Sequence, residues 1–198
     1  MIKKQITVDV LSNKTKEVVI FDNKPNKCIK GDDGKEYWIS RSVATAGVII
    51  TKHKGEYYIL IGKRGFGAAD FKGYLNLPCG YLDYNETGSE CFIREVYEEC
   101  GFFVPDISKK QIIMDYTKKP YFVQSDMKSN KQNVTLYYGI VFKTRKKDKL
   151  PNLSLEYNEK DEVEWGSWIR INDISQNDKI FAFSHNEKIK YFLDMFKK

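Results

Sequence analysis

Apolar residues recur along this chain with two spacings, and each spacing predicts a different kind of element. Short apolar runs bounded by polar turns are typical of strands. They predict strands over residues 6–10, 17–21, 37–42, 43–51, 57–62, 74–78, 112–124, 133–144 and 163–171. The first two of these segments and the pair 43–51 and 57–62 are expected to form hairpins. Polar residues predict loops at 125–131 and 145–160.

Apolar residues three and four positions apart predict a helix that begins at Thr87. The segment from Thr87 to Glu90 has the Thr-x-x-Glu form of a capping box, and Gly101 suits a left-handed C-terminal cap. One apolar stripe follows from 3.6 residues per turn. Its members are Phe92, Ile93, Val96, Tyr97 and Cys100.

A second segment of the same form, from Ser184 to Glu187, is predicted to open a C-terminal helix that ends near residue 196. Strands on both sides of a central helix, with another helix at the end, predict an α/β/α sandwich with a mixed sheet over residues 43–198. Residues 1–42 form a β-rich N-terminal extension in this interpretation. Three short strands are too few for a separate core, so the extension is expected to pack on the domain or to form a homodimer.

Composition narrows the class of protein. Hydrophobic residues make up 41% of the 198, enough for a core, and no apolar run approaches the ~20 residues that span a bilayer. The N-terminus does not resemble a signal peptide. The four cysteines form no Cys-x-x-Cys pair, which favours reduced thiols and a cytoplasmic protein. A net charge of +6 suits a polyanionic substrate.

Residues 80–102 carry the most specific chemical signal. Gly80 is followed by Glu86 and then by Arg94-Glu95-Val96-Tyr97-Glu98-Glu99-Cys100-Gly101-Phe102. On a helix Glu95, Glu98 and Glu99 share one arc, where like charges repel each other. A divalent cation would turn this repulsion into attraction. Carboxylate oxygens without histidine or cysteine indicate Mg²⁺, with Mn²⁺ as a substitute, rather than zinc.

This spacing resembles the complete Nudix box, and the wider resemblance covers roughly residues 43–178. The family fold is the same α/β/α sandwich. The resemblance implies hydrolysis of a nucleoside diphosphate linked to another moiety, with Mg²⁺ held by the Gly80 carbonyl, Glu95, Glu98 and Glu99. Glu86 and Arg94 would orient these ligands. The chain departs from the family at Cys79, where many members have glycine.

The resemblance leaves three questions open. The base that takes a proton from water is either Glu95 or an acid of a later loop, and the eligible acids are Glu156, Glu162 and Glu164. Candidate substrate contacts are Lys63, Arg64, Phe66 and Tyr121. ADP-ribose-like sugar nucleotides, dinucleoside polyphosphates, oxidised nucleoside triphosphates and capped or 5′-phosphorylated RNA all fit as substrates. The alternative is a nucleotide-binding or regulatory module without turnover.

Overall fold

A computed structural model describes most of the chain, in two compact units, Met1–Arg41 and Ser42–Lys198. The described residues are 2–9, 14–21, 27–39, 42–83, 85–128, 131–145, 147–156, 158, 161–174 and 180–197. In this part of the chain neither helix is long and apolar enough to cross a membrane.

The first unit consists of two antiparallel hairpins. Strands β1 (Ile2–Asp9) and β2 (Lys14–Phe21) form one, as predicted, although residue 10 lies outside the described residues. Strands β3 (Lys27–Lys30) and β4 (Glu36–Ile39) form the other. β4 corresponds to the predicted strand 37–42, of which residues 40 and 41 are not described; β3 was not predicted. Asp33 closes the turn by accepting hydrogen bonds from the Lys35 backbone N–H and the Tyr37 hydroxyl.

The second unit is built on one eight-stranded sheet. Its strands are β5 (Ser42–His53), β6 (Glu56–Arg64), β7 (Leu75–Asn76), β8 (Cys79–Tyr81), β9 (Ile112–Tyr116), β10 (Phe122–Lys128), β11 (Lys131–Lys143) and β12 (Val163–Arg170). The main path runs β10-β11-β5-β6-β12, while β7, β8 and β9 pair with β6, β5 and β11. β5 and β11 are parallel and the other named strand pairs are antiparallel, so the sheet is mixed.

Two helices cover opposite faces of this sheet, which confirms the predicted sandwich. Helix α1 (Gly88–Cys100) buries Phe92 and Val96 in a cluster with Ile49 of β5. Helix α2 (His185–Phe196) buries Phe192 in a second cluster with the neighbouring Val48. Successive side chains of a strand point to opposite faces, so β5 supplies both cores. Each fully buried side chain of this size stabilises the fold by about 1.5–3 kcal/mol.

Both predicted caps of α1 are present. The Thr87 hydroxyl accepts a hydrogen bond from the Glu90 backbone N–H, and the Glu90 carboxylate accepts one from the Thr87 backbone N–H. Gly101 has φ 63° and donates its N–H to the Tyr97 carbonyl. A side chain at Gly101 would also collide with Ser154. The helix is therefore fixed at both ends, which holds its glutamates at defined positions.

Several element predictions were wrong. The segment 112–124 contains two strands rather than one, because Thr117 bonds to Asp115 and Pro120 has no N–H to donate to a sheet. The predicted loop 125–131 is mostly strand, since β10 and β11 pair as far as Lys128 and Lys131.

Two further boundaries differ from the prediction. Strand 74–78 is reduced to Leu75–Asn76. The capping box at Ser184 is absent: Ser184 has φ 54° and its side chain makes no capping hydrogen bond, although α2 begins at the next residue as expected.

Candidate active site

Arg94 organises the acidic side chains of α1. Its Nε and Nη2 donate to the two oxygens of Glu86 at 2.8 and 2.9 Å, a bidentate pair. Its Nη1 donates to Glu95 at 2.7 Å and to Glu98 at 2.9 Å. Nη2 also reaches the Tyr81 carbonyl at 3.0 Å, which ties the helix to β8. The Arg94 guanidinium thus forms ion pairs with three carboxylates of the box.

Burial leaves part of the negative charge of this cluster uncompensated. Burial raises the pKa of Glu95 to about 7, against the lowering effect of Arg94. Burial and the charge of Glu95 raise the pKa of Glu99 well above its ordinary range. Glu86 behaves in the opposite way, because its hydrogen bonds to Arg94 lower its pKa. Burial therefore favours the protonated form of Glu95 and Glu99, whereas Arg94 favours the ionised form of Glu86.

The short strand β8 brings backbone atoms against these two carboxylates. The Cys79 N–H donates to Glu99 Oε2 at 3.3 Å. Gly80 lies so close to Glu95 that a Cβ at this position would collide with the carboxylate. A side chain here would require the Glu95 carboxylate to move, so glycine permits the close approach. The Gly80 backbone therefore lies next to the Glu95 carboxylate.

This donor set fits a hard divalent cation. Oxygen ligands suit Mg²⁺ and Mn²⁺, and a bound cation would compensate the charge that raises the pKa of Glu95 and Glu99. Within the described residues no three side chains of metal-binding type already converge on one point. The reason is visible at Arg94, toward which Glu95 and Glu98 both turn. Arg94 binds only Oε1 of Glu95 and Oε2 of Glu98, so ligation through the second oxygen of each carboxylate would leave both contacts in place.

Cys79 is not a suitable nucleophile. Burial and the nearby charge of Glu99 raise the pKa of its thiol far above the ordinary range. A thiol held in this way remains protonated at neutral pH, whereas the thiolate is the nucleophilic form.

Two of the predicted substrate contacts lie at the end of β6 and are already paired. Lys63 Nζ forms an ion pair with Glu164 at 2.9 Å. Arg64 donates from Nε to the Asp70 carbonyl and from Nη2 to the Asp70 carboxylate, both at 2.8 Å. The positive charge of Arg64 lowers the pKa of Glu99, which indicates that Arg64 lies near the acidic cluster.

The two predicted aromatic contacts have different surroundings. Phe66 is 87% exposed at the tip of the loop that follows β6, with Lys72 Nζ 4.9 Å from its ring. Tyr121 packs instead against Phe192 of α2, with ring centroids 4.7 Å apart, and its hydroxyl donates to the Lys188 carbonyl. The described contacts of Tyr121 belong to the second core rather than to the box.

The candidate bases of the later loop differ in their relation to the box. The charge of Glu162 contributes to the raised pKa of Glu99, and its carbonyl accepts from the Gly65 N–H at 2.8 Å. Glu164 is engaged with Lys63. Glu156 is exposed, and its N–H donates to Ser154. Glu162 is therefore the later-loop acid that the structure connects to the carboxylate cluster.

Sequence reasoning missed the residues that support the site from a distance. His185 was assigned no role, yet its Nδ1 accepts the Leu77 N–H at 3.0 Å and so fixes the segment that leads to Cys79. Asp70 and Phe183 both hold Arg64. These contacts join segments far apart in the chain, and no local spacing indicates them.

An open groove of about 550 Å³ adjoins the box on the outer side of α1. Glu86 and Arg94 form one wall, and Tyr97 and Phe103 form an aromatic wall with ring centroids 5.8 Å apart. Glu86 and Glu90 line this groove, whereas Glu95, Glu98 and Glu99 do not.

A capped helix that presents glutamates to a glycine backbone, within an α/β/α sandwich, defines the class of Nudix folds. The family model of the NUDIX domain matches residues 41–192, and the chain belongs to this family.

Solved structures of the same fold include proteins associated with several nucleotides. The NUDIX domain of Shewanella oneidensis NrtR, complexed with ADP ribose, is 15% identical, with a TM-score of 0.55 over 80% of this chain and 90% of that one. The C. elegans Ap4A hydrolase is 18% identical, with a TM-score of 0.55 over 79% of this chain and 98% of that one.

A bifunctional NMN adenylyltransferase/ADP ribose pyrophosphatase from Francisella tularensis was crystallised with AMP and a Mn ion. It is 19% identical, with a TM-score of 0.53 over 79% of this chain and 42% of its own length. At these identities the likeness concerns the fold.

Proposed function

We propose that this chain hydrolyses the pyrophosphate bond of a nucleoside diphosphate linked to another moiety, with Mg²⁺ as cofactor. The observation that carries the proposal is the pair of carboxylates of Glu95 and Glu99. Burial raises the pKa of both, and the Gly80 backbone lies against Glu95. A buried cluster of like charge costs folding free energy, and binding a cation would offset that cost.

In this proposal Glu95, Glu98, Glu99 and the Gly80 carbonyl hold Mg²⁺. When bound, the ion would neutralise charge on the diphosphate oxygens and make water a stronger nucleophile. Glu86 keeps Arg94 in place through its bidentate pair, and Arg94 in turn fixes the rotamers of Glu95 and Glu98. These two residues position the ligands and need not contact substrate.

Two residues are proposed as the general base. Glu95 is one candidate, because it lies within the carboxylate cluster itself. Glu162 is the alternative, because its charge acts on Glu99. Glu162→Gln separates the two, since Glu95→Gln would also remove a metal ligand. If Glu162 is the base, this variant loses the acidic limb of the profile of kcat against pH; if Glu95 is the base, the limb is kept.

The substrate is proposed to be a nucleotide with a second moiety beyond the diphosphate. ADP-ribose and diadenosine tetraphosphate are the first compounds to test, because structures of this fold carry those names. The groove beside Arg94 offers an aromatic wall for such a moiety. We also propose a cytoplasmic location, since Cys28, Cys79, Cys91 and Cys100 are all free thiols.

The test is the release of nucleoside monophosphate, measured by chromatography, from a nucleotide panel with Mg²⁺, followed by excess EDTA and then by excess Mg²⁺ or Mn²⁺. Release from at least one compound, lost with EDTA and restored by the metal, is expected. Full turnover in EDTA would refute the metal role. Tight nucleotide binding without any release would favour a binding module over a hydrolase.

A further inference from the structure

Two phenylalanines with left-handed backbones meet beside the strand end that carries Arg64. Phe71 has φ 47° in the loop between β6 and β7, and Phe183 has φ 55° just before α2. Their ring centroids are 4.9 Å apart, edge to face. A bulky residue in this region of backbone space is strained, and glycine would relieve the strain. Strain of this kind concentrates at functional sites.

The second contact of Phe183 is with Arg64. The guanidinium carbon of Arg64 lies 5.0 Å from the centre of the Phe183 ring, within the range of a cation–π interaction. Asp70 binds Nε and Nη2 of the same guanidinium. The Arg64 side chain is only 12% exposed. Among the described residues nothing accepts a hydrogen bond from Nη1, so this nitrogen keeps its donors for a ligand.

The same segment also supports the backbone of the box. The Phe183 ring lies 5.4 Å from the His185 ring, and His185 accepts the Leu77 N–H that precedes Cys79 and Gly80. Phe181 forms a bridge with Leu75 of β7. The residues before α2 therefore contact both the end of β6 and the segment that leads into β8.

Building on the proposed hydrolase function, we infer that Arg64 binds a phosphate oxygen of the substrate and that Phe183 is a positioning residue that holds its guanidinium for this contact. Because Asp70 occupies Nε and Nη2, Nη1 is the nitrogen that can donate a charge-assisted hydrogen bond to a phosphate oxygen. The Arg64 side chain packs between the Phe183 ring and the Asp70 carboxylate, and these contacts fix it before substrate arrives. Less conformational entropy is therefore lost on binding.

The test is a double-mutant cycle on the full chain with Phe183→Leu and Arg64→Gln. The probe is α,β-methylene-ADP with Mg²⁺, a diphosphate that resists hydrolysis, and the readout is its Kd by calorimetry. Each single variant is expected to bind roughly tenfold more weakly, as for loss of one charge-assisted contact. The double variant should bind no more weakly than Arg64→Gln, because Phe183 acts through Arg64. Phe183→Tyr keeps the ring and should restore affinity.

Phe122→Leu is the matched control. Lys188 Nζ lies 4.7 Å from the Phe122 ring, so this variant also removes a ring from beneath a cation. Its Kd is expected to stay within about twofold of the parent, the range of a surface contact. In steady-state assays Phe183→Leu should raise KM more than it lowers kcat, a split that general destabilisation would not produce.

Three results would overturn the inference: an unchanged Kd for Phe183→Leu, additive losses in the double variant, or an equal loss for Phe122→Leu. If the parent protein releases nucleoside monophosphate from the panel but does not bind the analogue, the assignment of Arg64 to phosphate is wrong and hydrolysis stands. If it binds the analogue as predicted but releases nothing, Arg64 and Phe183 keep their assignment and the hydrolase proposal fails.

Discussion

At the scale of single residues, Arg94 gives the metal-free helix a counter-ion of its own. Its guanidinium lies between Glu86, Glu95 and Glu98, and this arrangement allows carboxylates to stand close together before a metal binds. Exposed ion pairs contribute little to stability, whereas ligands of a cation contribute to catalysis. The two roles can therefore be separated by substitution.

Glu98→Gln is expected to lower turnover by roughly a hundredfold or more while the protein keeps its fold. The Glu98 side chain is 38% exposed, and Arg94 retains Glu86 and Glu95, so metal-free stability should stay level or rise by a few tenths of a kcal/mol. Release of nucleoside monophosphate with Mg²⁺ measures turnover, and thermal melting in EDTA measures stability. Glu187→Gln, on the exposed side of α2, is the control and should keep full turnover. Near-normal turnover of Glu98→Gln would show that Glu98 is not a ligand.

The raised pKa of Glu95 predicts how the stability of the metal-free protein depends on pH. The pKa is about 7 in the folded protein against 4.5 ordinarily, so the folded state binds the proton more tightly than the unfolded chain. The free energy of unfolding should therefore fall as pH rises from about 4.5 to about 7, by up to about 3 kcal/mol.

Urea unfolding of the parent and of Glu95→Gln over this pH range isolates the contribution, because glutamine does not titrate. The stability of the parent relative to the variant is expected to decline across the range and to level off above pH 7. A difference that is constant or grows with pH would contradict the assignment.

At the scale of elements, removing the N-terminal cap of α1 is expected to lower the stability of the protein and to leave its turnover unchanged. Thr87→Ala removes the hydroxyl that accepts from the Glu90 N–H, which should cost about 1 kcal/mol. For a chain of this size that loss lowers Tm by about 2–4 °C. Thr87→Ser keeps a hydroxyl and should retain most of the stability. Turnover per folded molecule should be unchanged in both; a tenfold fall in Thr87→Ala at full folding would mean that the cap also orients the glutamates.

Local signals explain which elements could be predicted. Helix α1 could be predicted because its capping residues, Thr87, Glu90 and Gly101, lie within fifteen residues of one another. The arrangement of the box glutamates on one face of the helix follows from their spacing. Ser184 has the same sequence form as Thr87, but the left-handed backbone at Phe183 and Ser184 turns its hydroxyl away from the helix. That turn is set by contacts with Arg64 and Leu77, which sequence spacing cannot reveal.

At the scale of the whole molecule, the structure of the first unit predicts that two copies of the chain associate. Two-stranded hairpins are marginal alone. Ile29 and Tyr37 are paired across β3 and β4, and they are 46% and 44% exposed. We propose that Met1–Arg41 takes part in a homodimer. Light scattering of the full chain at micromolar concentration should give twice the 23.2 kDa monomer mass. A chain that begins at Ser42 should give the monomer mass. A monomeric full chain would end the dimer proposal.

The parallel pairing of β5 with β11 also has a consequence for synthesis of the chain on the ribosome. Ser42 pairs with Asn133 and Lys52 with Lys143, so the centre of the sheet requires two segments that lie far apart in the sequence of the NUDIX domain. Helix α1 is translated well before β11 exists to cover its apolar stripe. Non-local pairing of this kind slows folding. The nascent chain must therefore carry an exposed hydrophobic helix until β11 has left the exit tunnel, a period in which chaperones have a surface to bind.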